Sequence, residues 1–137
     1  MLVKCVATLP DEDQAKKLTG SYWPGKQVFD IAVGHEYIVF GMTIINGEPW
    51  VDIEKKGSEY IVPVPLCLFQ IVNGQVPSLW EVSIRDGDLL LWPSSFYKDT
   101  YYHDKLSDGD PAILKNYREI KALILDEAGV NKSRTDE

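Results

Sequence analysis

Two histidines, His35 and His103, and two cysteines, Cys5 and Cys67, are the residues of this 137-residue chain best suited to nucleophilic or metal chemistry. A nucleophile needs a base beside it and a third group to orient that base. His103 has Asp104 as its chain neighbour, the kind of carboxylate that orients a catalytic imidazole, so an enzyme centred on His103 and Asp104 is one reading. His35, in Gly34-His35-Glu36, sits at the entry to a predicted strand and reads as a strand-end residue. The four residues are too scattered for zinc, which requires spacings such as Cys-x-x-Cys or His-Glu-x-x-His. Cys5 and Cys67 lie in apolar runs, where a free thiol serves as a small buried hydrophobe; a disulfide between them is the alternative.

The remaining chemistry is sparse. No Gly-x-Gly-x-x-Gly or Gly-x-x-x-x-Gly-Lys-Ser/Thr is present to cradle a phosphate. Asp52 with Glu54, or Asp86 with Asp88, are carboxylate pairs that acid-base catalysis or calcium could use. Asp86-Gly87-Asp88 is better explained as a turn, because the series of ligand positions that calcium needs is missing. We therefore expect no metal, no cofactor and no enzymatic activity.

Binding is the reading that remains. Fourteen Lys and Arg against 21 Asp and Glu leave a net charge of −7. That balance argues against a nucleic-acid binder, which needs a surplus of cations on one face. It favours a basic partner. Four Trp, seven Tyr and four Phe exceed what a core of this size needs. The segment Trp92 to Asp104 concentrates them beside acids, so Tyr97, Asp99, Tyr101, Tyr102 and Asp104 form the first candidate partner-binding set. Trp50, Asp52 and Glu54 alternate with Val51 and Ile53 and form the second, on the outward face of a strand.

The elements that must position these residues are mostly strands. Leu2 to Thr8 is a short strand, and Asp11 with Gln14 makes a capping box for a short helix that Gly20 ends. Ser21 to Lys26, with Pro24-Gly25, is a loop. From Val28 to Trp92, β-branched and aromatic runs alternate with turn dipeptides. Glu36 to Ile45 is apolar on both faces, hence central. Asn46-Gly47 and Asp86-Gly87 are hairpin turns, and Pro63 and Pro65 confine the strand over Glu59 to Val64 to an edge. Leu66 to Val72 is another buried segment, and Trp80 to Arg85 pairs with Asp88 to Trp92. Ser94 to Asp104 shows no clean period. Asp110-Pro111 opens a helix with Ile113, Leu114, Tyr117, Ile120, Leu123 and Ile124 along one stripe, ended by Gly129.

The expected fold is α+β and β-rich. It is an SH3-like partly open barrel or a compact antiparallel sandwich, with a short N-terminal helix and a C-terminal helix packed on it. Residues 1–129 form one globular domain, and 130–137 a flexible polar tail. No apolar run approaches a membrane span and no signal peptide is readable, so a cytoplasmic protein is expected.

Four stretches carry a resemblance over residues 1–125: Gly34 to Gly41, Val62 to Phe69, Trp80-Glu81-Val82, and Leu91 to Tyr97. Together they resemble a family of small bacterial immunity-like proteins of contact-dependent-inhibition and related polymorphic toxin systems. The resemblance implies a cytosolic monomer that binds one cognate toxin domain 1:1 and blocks it. That toxin is expected to be a nuclease with a basic cleft, and no direct contact with nucleic acid or membrane is implied. A stand-alone SH3-like interaction or regulatory module is the alternative.

Overall fold

Strand β2 (Glu36–Ile45) organises the molecule. In this computed structural model, which describes residues 1–18 and 29–129, β2 pairs antiparallel with three strands. Its first half takes β1 (Leu2–Cys5), its second half takes β7 (Asp88–Pro93), and β3 (Glu48–Glu54) runs along its other side. Beyond these lie β4 (Ile61–Pro65) on β3, β5 (Phe69–Asn73) on β1 and β6 (Trp80–Arg85) on β7. The result is an α+β fold on one unclosed, seven-stranded antiparallel sheet. A long apolar strand in the middle satisfies its backbone on both sides and buries side chains on both faces, as expected for this run.

A bulge divides β2. The register slips between Val39 and Gly41, leaving Phe40 as the extra residue. Its carbonyl accepts a hydrogen bond from the Trp80 indole at 2.9 Å, and its ring stacks on Tyr117 at 5.2 Å between centroids. One residue thus supplies an apolar anchor to the helical side while its displaced backbone is satisfied by a core tryptophan.

Both hairpin turns form as the sequence implies. Asn46-Gly47 and Asp86-Gly87 have positive φ at both central positions, 51° and 81° in the first and 52° and 84° in the second. Pro63 and Pro65 lie on β4 at the sheet edge, where a missing N–H costs no ladder bond. The Asp11 capping box is also present. Asp11 and Gln14 exchange side chain-to-backbone bonds of 2.8 and 2.9 Å ahead of α1 (Glu12–Lys17), and Leu18 closes that helix. The expected stop at Gly20, the Ser21 to Lys26 loop and the 130–137 tail lie outside the described residues. Cys5 and Cys67 are free thiols.

Helices cover one side of the sheet. Asp110 caps α4 (Pro111–Glu127), accepting from the amides of Ala112 and Ile113 at 3.1 Å, with Pro111 at the first helical position. Tyr117, Ile120 and Ile124 of α4 pack with Phe40, Ile61, Phe96, Tyr102 and Leu106. A separate cluster, including Val3, Val39, Val51, Ile53, Val64, Leu68 and Trp80, fills the remaining core.

Three expectations need correction. The segment Leu66 to Val72 is not uniformly buried: a 3-10 turn (Leu66–Leu68) leads into β5, an edge strand with Ile71 and Val72 exposed. Leu123 leaves the α4 stripe for solvent, since Ile120 and Ile124 already face the sheet. The segment after Pro93 is not irregular but forms α2 (Ser94–Lys98) and α3 (Tyr102–Ser107), each too short to display a readable period and without a side-chain cap.

Candidate functional site

The first candidate set lies on and between α2 and α3, where Asp99 is the organising residue. Its Oδ1 accepts from the Tyr101 amide at 3.0 Å, its Oδ2 accepts from Lys105 Nζ at 2.7 Å, and its carbonyl accepts from the Tyr102 amide at 3.1 Å. The Lys105 ammonium holds the Asp99 carboxyl below the usual carboxylate range, helped by the Tyr101 amide, and Asp99 raises Lys105 in turn. This brace leaves Tyr101 pointing outward, 64 % exposed, with Asp104 and Asp108 also exposed on the following turns. A backbone already held beneath an exposed aromatic leaves only the side chain to be ordered on binding.

Tyr97 and Tyr102 do different work. Tyr102 is buried against Phe96, at 4.6 Å between centroids, and its hydroxyl donates to Asn116 at 2.7 Å. It therefore ties α3 to α4 and offers no surface, which corrects its place in the set. Tyr97 stacks on Trp92 at 5.1 Å, and its hydroxyl is inserted between β7 and β6, accepting from the Trp92 amide and donating to the Glu81 carbonyl. Burial pushes both phenols up in pKa.

The second candidate set does not form an outward face, because Trp50 packs into the core beside Phe29, α3 brings His103 to Asp52, and α4 brings Tyr117 and Lys121 onto Glu54. Trp50 is buried at 6 % exposure in the core, edge-on to Phe29, with no hydrogen-bond partner for its indole nitrogen among the described residues. Asp52 is buried, and its Oδ2 lies 3.8 Å from His103 Nε2. Glu54 is half-buried, accepting from the Tyr117 hydroxyl and, at 3.0 Å through each oxygen, from Lys121 Nζ. The three residues go to three different environments.

Two arrangements follow that alternation along β3 does not reveal. The imidazole of His103 has Asp52 as its carboxylate rather than Asp104, and lies edge-on to Phe96 at 5.0 Å with Trp92 and Tyr102 at 6.4 and 6.0 Å. At 3.8 Å the Asp52 carboxylate is an ion-pair neighbour of His103 rather than a hydrogen-bonded orienter, and no hydroxyl or thiol hydrogen-bonds His103 among the described residues. On the other flank, Glu54 and Lys121 border a groove of about 330 Å³ lined also by His35, Phe40 and Lys56, and Tyr117 donates to Glu54 from the core side. Burial first, then the Glu54 carboxylate, drives the Tyr117 phenol far up in pKa. Lys121 carries a sequence signal for this groove, as a charged group one helical turn after Tyr117 on α4. Among the described residues, no cluster of three His, Cys, Asp or Glu side chains could hold a metal ion, and no helix is long and apolar enough to cross a membrane.

No protein-family model matches the chain, and no curated protein or solved structure matches it either.

Proposed function

We propose that this chain is an immunity protein that binds a bacterial toxin domain, a nuclease in the favoured reading, and blocks its basic active-site cleft. The observation that carries the reading is the braced corner between α2 and α3, where Asp99 presents Tyr101 beside Asp104 and Asp108. An exposed, preorganised aromatic among carboxylates suits a cleft built for bases and phosphates, since tyrosine stacks where a base would and carboxylates stand where phosphates would. The net charge of −7 steers encounter with such a cleft. In this reading the protein works in the cytoplasm, uses no cofactor and touches no nucleic acid itself. The division of β2 between β1 and β7 supports an SH3-like, partly open barrel as the underlying architecture.

The test is co-expression with the protein encoded beside its gene, followed by purification and a nuclease assay. A stoichiometric complex with the nuclease silenced is expected, with Tyr101→Ala and Asp104→Lys together weakening it about tenfold or more. A neighbour that neither binds nor is inhibited overturns the immunity role and leaves the SH3-like interaction module. A complex indifferent to both substitutions moves the interface away from this corner.

A further inference from the structure

We propose that the free edge of β6 is the seam of a symmetric homodimer, in which Glu81 of one copy faces Arg85 of the other across a two-fold axis at Ser83. The sheet ends at β6, which pairs among the described residues only with β7. Proteins blunt such edges with prolines, lysines or bulges, or else they pair them. The opposite edge is blunted: β4 carries Pro63 and Pro65. Strand β6, Trp80-Glu81-Val82-Ser83-Ile84-Arg85, carries no proline, lysine or bulge, and its two charges, Glu81 and Arg85, are of opposite sign and can pair across a self-complementary seam.

The strand also exposes the wrong side chains for solvent. Val82 is 67 % and Ile84 72 % exposed, and they continue a row through Leu91 and Leu89 on β7 to Met42 and Ile44 on β2. That row is core on β2 and open on β6. A second β6 laid alongside would extend it across the seam.

Register follows from the backbone. The Tyr97 hydroxyl bridges the Trp92 amide and the Glu81 carbonyl, so the main-chain groups of Glu81 face β7. Backbone groups alternate along a strand, so those of Val82 and Ile84 face the open side. In antiparallel self-pairing about Ser83, the N–H and C=O of Val82 meet those of Ile84 on the second copy, and the apolar side chains meet likewise. The same register sets Glu81 opposite Arg85, twice by symmetry. Neither forms an ion pair among the described residues, and Arg85 is already held over the Trp92 ring, 5.7 Å from its centroid. The β5 edge, Phe69-Gln70-Ile71-Val72-Asn73, has no charge with which to set a register. In this proposal the chain self-associates, where the sequence leads one to expect a lone chain in a 1:1 complex.

Sedimentation equilibrium of the full chain tests it. A species of twice 15.5 kDa that dissociates on dilution is expected. Glu81→Arg and Arg85→Glu should each weaken it about tenfold or more by placing like charges opposite each other, and the two together should restore it. Ser83→Cys should cross-link two chains in air, because a non-hydrogen-bonded antiparallel pair has Cα atoms about 4.5 Å apart, within disulfide range. A monomer at every concentration overturns the proposal, and so does a dimer that ignores the single reversals or is not rescued by the double one. A monomer whose β6 amides become protected only on binding another protein also overturns it, assigning the edge to a partner's strand.

Discussion

His103 Nε2 lies 3.8 Å from Asp52 Oδ2, joining helix α3 to the middle of strand β3 through a pair in which the carboxylate is buried. The contact depends on a residue with no side chain. Gly41, across the ladder from Asp52, leaves room for the carboxylate and for the Trp92 indole against the backbone of β2. The bulge at Phe40 sets this position, so the same irregularity that sends a ring toward α4 also opens the floor on which Asp52 and His103 meet.

Gly41→Ala should therefore destabilise the fold. A Cβ there would stand 3.1 Å from Trp92 Cδ1, 3.2 Å from Asp52 Oδ2 and 3.4 Å from the Leu91 carbonyl oxygen, and the last of these belongs to the backbone and moves least. A loss of about 1–3 kcal/mol in urea unfolding is expected, the range for overpacked cores. Adding Trp92→Ala should give less than additive damage, because it removes one of the crowded partners. Full additivity would mean that the indole is not what the new methyl meets.

The strands and turns were legible because their signals are local. Asn46-Gly47 and Asp86-Gly87 need positive φ, and Asp11 and Gln14 close a box within one helical turn. The candidate site was half legible for the same reason. Asp99, Tyr101 and Asp104 are chain neighbours, so their corner could be read from adjacency. Trp50, Asp52 and Glu54 could not, since period-two alternation states which residues share a face but not whether that face meets solvent. Asp52 is met by α3, too short to show a period, Glu54 by α4, and Trp50 by core partners such as Phe29. The pairing of His103 with Asp52 rather than Asp104 is tertiary in the same sense.

Alkali should unfold the protein through Tyr102 and Tyr117. Both are buried, and burial raises both phenols above the usual tyrosine value near 10, with Glu54 adding to the rise at Tyr117. A raised phenol keeps its proton in the folded state while the unfolded chain releases it. Stability is then intact below about pH 10 and falls as pH rises beyond it, by up to about 1.4 kcal/mol per pH unit for each such tyrosine. Tyr117→Phe should remove one tyrosine's share of that slope in urea midpoints taken across the alkaline range. An unchanged slope would place the sensitivity elsewhere.

The Asp99 brace should control how Tyr101 is presented, and the two halves of the brace can be separated. Asp99→Asn keeps an oxygen for the Tyr101 amide but loses the charge that holds Lys105, whereas Asp99→Ala loses both. Amide hydrogen exchange at Tyr101 should quicken from the native chain to the asparagine variant and again to alanine. In the immunity function proposed above, affinity for the toxin domain would fall in the same order, because a backbone that must be ordered on binding contributes less than one already held. The sign with pH follows from the lowered Asp99 pKa. The charged half of the brace is whole above the usual carboxylate range and is lost as pH falls through the lowered folded value, so native exchange at Tyr101 should approach that of the asparagine variant only in strong acid. If Tyr101 exchanges at one rate in all three chains, its amide is held by something other than Asp99, and the corner no longer marks a built interface.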